Sequence, residues 1–133
     1  MEPEELLNIA SEAKQFSYAP YSDFYVGAAL LCADGSVYTG CNVENAAYTP
    51  TNCAERTAIF KAVSEGKREF LAIAIVGDSD SFTTPCGVCR QVMAEFVNPK
   101  NFTIIMSDSR GCIKSMKLAE LFPDAFSPQN LQK

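Results

Sequence analysis

The sequence predicts an α/β fold built on one mixed sheet, and three observations predict it. Apolar residues recur at helical spacing over residues 3 to 16, as Leu6, Leu7, Ile9, Ala10, Ala13 and Phe16. Two apolar runs of strand length, Phe70 to Val76 and Phe102 to Ser107, flank a helical stretch from about Cys86 to Val97. Strand, helix, strand in that order implies a right-handed parallel crossover. Only the short polar break Ser107-Asp108-Ser109-Arg110-Gly111 then precedes Cys112-Ile113-Lys114. A parallel connection takes roughly a dozen residues or more, so the last strand is expected to run antiparallel to its predecessor.

Each element has its own local cause. Pro3 suits an early helical position, and Glu2, Glu4 and Glu5 lie at the positive end of that helix dipole. Tyr18-Ala19-Pro20-Tyr21-Ser22 is a loop. Phe24 to Cys32 reads as a strand, Ala33-Asp34-Gly35-Ser36 as a hairpin turn and Val37 to Val43 as the return strand. Asn45 to Thr51, with Tyr48 and Pro50, is a loop. A helix follows from about Cys53 to Ser64 and ends near Gly66. Phe70 to Val76 has the unbroken apolar character of a strand covered on both faces. Asp78 to Thr84 is a polar loop, and Pro85 opens the next helix with Cys86 and Cys89 in its first turn. Lys117 to Phe122 reads as a short helical turn stopped by Pro123, and the tail from Asp124 to Lys133 is polar except for Ala125, Phe126 and Leu131. No linker, internal repeat or low-complexity stretch divides the chain, so residues 1–133 are expected to form a single domain.

Composition excludes several classes of function. The 133 residues are 47% hydrophobic and 20% charged, with a formal net charge of −5. A grip on a phosphate backbone needs a basic surface, so a nucleic-acid polymer is disfavoured and a small neutral substrate is compatible. No apolar run approaches the ~18 residues that span a membrane. Met1 leads into Glu2, Glu4 and Glu5 rather than into a basic and then apolar leader. Cytoplasmic residence is therefore expected. Histidine is absent, which removes Ser-His-Asp and Cys-His catalysis and any His-ligated metal. Acid–base work near neutral pH falls to a carboxylate, Lys, Tyr, Cys or a metal-bound water. Six cysteines admit a disulfide reading, which suits short secreted chains with a signal sequence. Without one, Cys32, Cys41 and Cys112 are expected to be free, buried thiols in apolar or strand-like surroundings.

The chemistry gathers in two stretches, Asn52-Cys53-Ala54-Glu55-Arg56 and Pro85-Cys86-Gly87-Val88-Cys89-Arg90. Together they supply three thiols and one carboxylate. Zn²⁺ favours thiolates in tetrahedral geometry, and a catalytic site uses three protein ligands with the fourth position open to water. Cys53, Cys86 and Cys89 can fill three positions, and Glu55 can then move protons on and off that water. Each stretch alone is a weak signal, but joined they contain every part of one hydrolytic site once. A competing role exists for Glu55: with Asn52 as N-cap it completes a capping box. The helix N-terminus also lowers a thiol pKa, which suits a thiolate ligand at Cys53. Asn42 and Glu44 share one face at the end of the hairpin. They can hydrogen-bond a sugar hydroxyl or form an ordinary polar strand end.

Cys53-Ala54-Glu55 followed by Pro85-Cys86-Gly87-Val88-Cys89 resembles the signature of the zinc-dependent nucleoside deaminases. Phe24-Tyr25-Val26-Gly27-Ala28-Ala29, Asn42-Val43-Glu44-Asn45 and the late Phe126 extend the match over nearly the whole chain, and it is similar to the small, tetrameric type of cytidine deaminase. The resemblance implies a three-layer α/β/α sandwich with a mixed five-stranded sheet and an antiparallel last strand. It implies one zinc ion per chain, a homotetramer, and hydrolytic conversion of cytidine and 2′-deoxycytidine to uridine and 2′-deoxyuridine in pyrimidine salvage. It assigns the metal to Cys53, Cys86 and Cys89 and proton transfer to Glu55. Asn42 and Glu44 are assigned to the ribose, and the Ala54 backbone and Thr84 carbonyl to the base. Phe24 and Phe126 are assigned as apolar faces, Phe126 from a neighbouring subunit, and Tyr48 as part of the loop that meets a pocket. Arg56 is assigned to hydrogen-bond the ligand sulfurs, against a plain role as a solvent-facing helix charge. Both phenylalanines also admit a plain packing role. Two alternatives stay open: another aminopyrimidine deaminase, such as one acting on blasticidin S, and a non-catalytic zinc module closed by Cys41 or Cys112.

Overall fold

The computed structural model of the chain describes residues 1–131; Gln132 and Lys133, the last two positions of the expected polar tail, lie outside the described residues. Helix α1 spans Pro3–Lys14, followed by strands β1 (Gly27–Cys32) and β2 (Val37–Cys41), helix α2 (Ala54–Ser64) and strand β3 (Phe70–Val76). Helix α3 (Gly87–Phe96), strands β4 (Thr103–Ser107) and β5 (Ile113–Lys117), the short helix α4 (Leu118–Leu121) and a terminal 3₁₀ turn (Pro128–Leu131) complete it. The five strands form one sheet in the order β2-β1-β3-β4-β5. Only β3 and β4 are parallel, joined through α3 as the crossover pattern predicts, and β5 returns antiparallel to β4. The mixed sheet and the antiparallel last strand are therefore as expected.

Three layers follow from where the apolar residues point. On one face Leu6, Leu7 and Ala10 of α1 pack on Ala29, Ala72, Ala74 and Ile105. The small alanines let a single helix lie close to the central strands. On the other face Ala54, Ala58, Ile59 and Ala62 of α2 and Cys89, Met93 and Ala94 of α3 cover Leu30, Ile73, Ile75, Ile104 and Met106. Alternate residues of β1, β3 and β4 thus serve opposite faces, and β3 is buried along its length except at Leu71 and partly at Val76.

The expected boundaries shift at several points for physical reasons. The first helix ends at Lys14 rather than Phe16, and Phe16 points outward, 79% exposed. The first strand begins at Gly27 rather than Phe24, because the amides of 24–26 and the Phe24 carbonyl are bonded by side chains instead of a ladder. The return strand ends at Cys41; Val43 bridges Tyr18 and Asn52 instead. Helix α2 starts one residue late, with Cys53 as its N-cap. Asn52 is engaged in the extended bridge to Val43, and its amide donates to Thr57 Oγ1 at 3.1 Å. The capping box through Asn52 and Glu55 therefore does not form. Cys112 is exposed in the turn before β5, not buried. All six cysteines are free.

Register places the functional end. Gly27, the first residue of β1, pairs with Cys41 at the end of β2 on one side and with Val76 at the end of β3 on the other. Because β1 is antiparallel to both, β2 and β3 finish at the same edge, and the loops into α2 and α3 leave from there. Two glycines allow helices to sit against this edge. A Cβ on Gly40 would overlap the Ala54 carbonyl and stand 2.6 Å from the Ala58 amide nitrogen; on Gly27 it would overlap the Ala10 carbonyl. Gly40→Ala is expected to cost about 2 kcal/mol of stability, measured as a lower urea midpoint at unchanged slope.

Candidate metal centre and substrate pocket

Both cysteine stretches arrive at helix N-termini. Cys53 caps α2 and Cys86 caps α3, each with an extended backbone, and Cys86 Sγ accepts from the Cys89 amide at 3.5 Å. Helix starts carry unpaired amides and the positive end of the dipole, so both favour negative sulfur. The Cys53 and Cys86 sulfurs are 3.7 Å apart and those of Cys86 and Cys89 are 3.4 Å apart. The three ligand atoms all lie within 4.8 Å of one another. Zn–S bonds of about 2.3 Å at tetrahedral angles place sulfurs about 3.8 Å apart, so the trio fits one zinc ion. Cys41, Cys112 and Glu55 do not join the cluster, which leaves no fourth protein ligand among the described residues and disfavours the closed zinc module.

Arg56 supports the same reading. Its Nη2 donates to Cys53 Sγ at 3.2 Å, while its Nε is buried without a hydrogen-bond partner. The described ion pairs are Lys14–Asp78 and Lys67–Asp34, so no carboxylate serves Arg56 among the described residues. A part-buried guanidinium needs a counter-charge, and thiolate sulfur provides it. Burial opposes the charge on Arg56, but hydrogen bonds to Cys53 and Cys89 outweigh it and hold its pKa above the ordinary value. Hydrogen bonding from Cys89, then from Arg56, pulls the Cys53 thiol down to about 5 against the effect of burial. The neighbouring Cys53 sulfur and burial push the Cys89 thiol up.

Glu55 lies in the first turn of α2 and is 4% exposed. Burial pushes its carboxyl up to about 7. Burying a carboxylate is costly, and Glu55 neither joins the sulfur cluster nor forms the capping box with Asn52. Ala54 heads the same helix, fully buried, and its amide has no intrahelical acceptor. Thr84 is exposed just before buried Pro85.

The other expected residues divide into two places. Glu44 and Tyr48 line a concavity of about 400 Å³ with Tyr21, Ser22, Asn45 and Thr51. Glu44 accepts from the Tyr21 and Ser22 amides at 3.0 and 3.1 Å and from the Ser22 hydroxyl, and the Ser22 hydroxyl holds its pKa below the usual value. Asn42 is buried; its Nδ2 donates to the Phe24 carbonyl at 2.7 Å and its Oδ1 accepts from the Val26 amide at 2.9 Å. Each side chain keeps some capacity: one acceptor site on Glu44, and one hydrogen and one lone pair on Asn42. Phe24 is 37% exposed. Phe126 is apart from this group. Gln91 of α3 donates to its carbonyl at 2.8 Å, and its ring is 56% exposed beside Glu95, Pro128 and Leu131. Tyr21, Ser22 and Thr51 are pocket residues that sequence reasoning missed. The aromatic-and-hydroxyl pair Tyr21-Ser22, two residues before Phe24, was the available signal.

The comparisons agree with this geometry. Residues 1–106 match the family model described as the cytidine and deoxycytidylate deaminase zinc-binding region. The chain is 50% identical over 131 residues to a cytidine deaminase of Sporosarcina psychrophila, covering 98% of this chain and 96% of that one. It is 48% identical over 131 residues to one from Halalkalibacterium halodurans, covering 98% of each. A crystal structure of cytidine deaminase from Burkholderia pseudomallei superposes with a TM-score of 0.91 at 47% identity, covering 95% of this chain and all of that one. Zinc per chain measured after purification should be close to one, and should survive Cys41→Ser and Cys112→Ser. Arg56→Ala is expected to weaken zinc retention by about 10- to 100-fold, read by competition with a chromogenic chelator.

Proposed function

We propose, from the premise that this chain belongs to the cytidine and deoxycytidylate deaminase zinc-binding family, that it is a zinc-dependent hydrolase. It converts cytidine and 2′-deoxycytidine to uridine and 2′-deoxyuridine and releases ammonia. The observation that carries this reading is a buried carboxylate, Glu55, set beside a three-sulfur cluster that it does not join.

Cys53, Cys86 and Cys89 would hold the ion, which when bound supplies a water acidic enough to act as a nucleophile near neutral pH. The chain's own groups do the rest. Glu55 takes a proton from the attacking water and delivers it to N3 of the pyrimidine. Once the oxygen has bonded to C4, the same carboxylate takes the remaining proton from that oxygen and delivers it to the amine, the C4–N bond breaks, the C4 carbonyl forms and ammonia leaves. One water is consumed, one ammonia is formed and Glu55 ends as it began. Burial of Glu55 keeps bulk solvent from competing for the proton. Arg56, bonded to Cys53, offsets the excess negative charge of three thiolates. The unpaired Ala54 amide and the Thr84 carbonyl are suited to the polar edge of the base, and the spare capacity of Asn42 and Glu44 to a ribose hydroxyl.

The site extends beyond one chain. Phe126 faces outward on the α3 side, while Tyr48, 74% exposed, rims the Glu44 concavity. A homotetramer in which a neighbour's Phe126 stacks on the pyrimidine over Phe24 accounts for both exposed aromatics. One domain over residues 1–133 carries all of these groups. Six free thiols suit a reducing cytoplasm. No helix among the described residues is long and apolar enough to cross a membrane. A role in pyrimidine salvage follows from the substrate.

Glu55→Gln is expected to retain zinc and lower kcat by about 10²- to 10⁴-fold, followed as the ultraviolet change on cytidine deamination; turnover near the wild-type rate would falsify the proton-transfer role. Light scattering is expected to give four chains per particle, and Phe126→Ala to raise KM. A fully active monomer would end the shared-site reading.

A further inference from the structure

Phe24 has no strand to hold it. The β1 ladder starts at Gly27 on both sides. Upstream, Asp23 turns the chain with φ 56°, a conformation that costs a non-glycine residue energy and persists where its surroundings enforce it. Between that corner and the sheet, the three amides of residues 24–26 hang from side chains, and the Val26 carbonyl takes the Asn42 backbone amide at 3.3 Å. Ser22 Oγ accepts from the Phe24 amide at 3.1 Å, and Asn42 bonds the Phe24 carbonyl and the Val26 amide. The carbonyl of the Phe24–Tyr25 peptide thus goes to Asn42, and its N–H goes to Asp78, whose Oδ2 accepts from Tyr25 N at 2.9 Å.

Asp78 stands two residues past the end of β3, outside the pocket and the sulfur cluster. Its other oxygen takes Lys14 Nζ at 3.0 Å, in the last turn of α1. One carboxylate therefore ties the β3 exit, the end of α1 and the Phe24–Tyr25 peptide together. We propose that Asp78 is a positioning residue: through the Tyr25 amide it fixes the orientation of the Phe24 ring in the nucleoside site. This rests on Phe24 forming one wall of that site. The Lys14 pair is partly exposed, with side chains 27% and 35% accessible, so it steers Asp78 rather than holding the loop by itself. Without the Tyr25 bond the peptide keeps only the Asn42 bond to its carbonyl, one anchor in place of two, and the ring shifts with it. Glu55 and the three cysteines lie on other elements and stay in place. Substrate binding changes, and the chemical step does not.

The test is steady-state kinetics with cytidine on the zinc-loaded full chain carrying D78A, D78N, D78E or F24A, with thermal melts of each. D78A is expected to raise KM about fivefold, the scale of one net hydrogen bond, with kcat within about twofold of wild type. D78N keeps an oxygen for the Tyr25 amide and restores KM to within about twofold of wild type by the same reasoning. D78E keeps the charge for Lys14 but displaces the acceptor, so KM rises while the melt holds. An unchanged KM in D78A or D78E while F24A raises it overturns the positioning role, whatever the melting temperatures do. An unchanged KM in F24A overturns instead the role of Phe24 on which the proposal rests.

Discussion

Two helices begin at one edge of one sheet, and their first turns share three sulfurs. That convergence is the constraint on which the rest of the protein depends. It is produced by strand direction. With β1 antiparallel to both of its neighbours, β2 and β3 must end together, and Gly27 marks the spot by pairing with Cys41 and Val76. The chain then spends a loop on each side and enters α2 through Cys53 and α3 through Cys86. Both cysteines occupy N-cap positions, where an oxygen side chain would ordinarily satisfy the helix amides. Cys86 partly does so, by accepting from Cys89; Cys53 does not, and its sulfur is turned to the cluster.

The same helix turn carries three conflicting demands. Cys53 brings negative sulfur, Glu55 a buried carboxyl and Arg56 a part-buried cation. They coexist because successive helical residues point about 100° apart. Arg56 reaches back to the sulfur while Glu55 goes into the interior. Burial holds Glu55 near neutrality and sulfur contact holds Arg56 charged. Separating these groups onto flexible loops would lose that balance, since each depends on what its neighbours exclude or compensate.

Around this rigid centre the segment from Tyr21 to Val26 is held by a different logic. Asn42, Glu44, Ser22 and Asp78 spend much of their hydrogen-bonding capacity on the backbone between Tyr21 and Val26. The segment beside the Glu44 concavity is thus held in place before any ligand arrives, which reduces the ordering cost of binding. The aromatic rings at its rim, Tyr21 and Tyr48, meet edge to face at 6.5 Å. Tyr48 also sits at φ 66°, and the neighbouring turn bonds of the 45–51 loop keep it there.

The residues themselves determined the chemistry and most of the architecture. Three thiols and a carboxylate at this spacing, with no histidine in the chain, specify a sulfur-bound cation and make the carboxylate the candidate proton carrier. The lengths of the breaks after Val76 and Ser107 specify one parallel and one antiparallel return. Those features were legible because they depend on local spacing, loop length and ligand chemistry. Tertiary structure decided the rest. It moved the start of α2 to Cys53 because Asn52 was taken by a bridge to Val43, and it left Phe16 and Cys112 in solvent. It also turned Asn42 and Asp78 into supports for Phe24 across sequence separations of 18 and 53 to 54 residues. The physical reason is that a hydrogen bond or a buried position belongs to whichever group arrives closest, and proximity between distant segments exists only once the sheet has assembled.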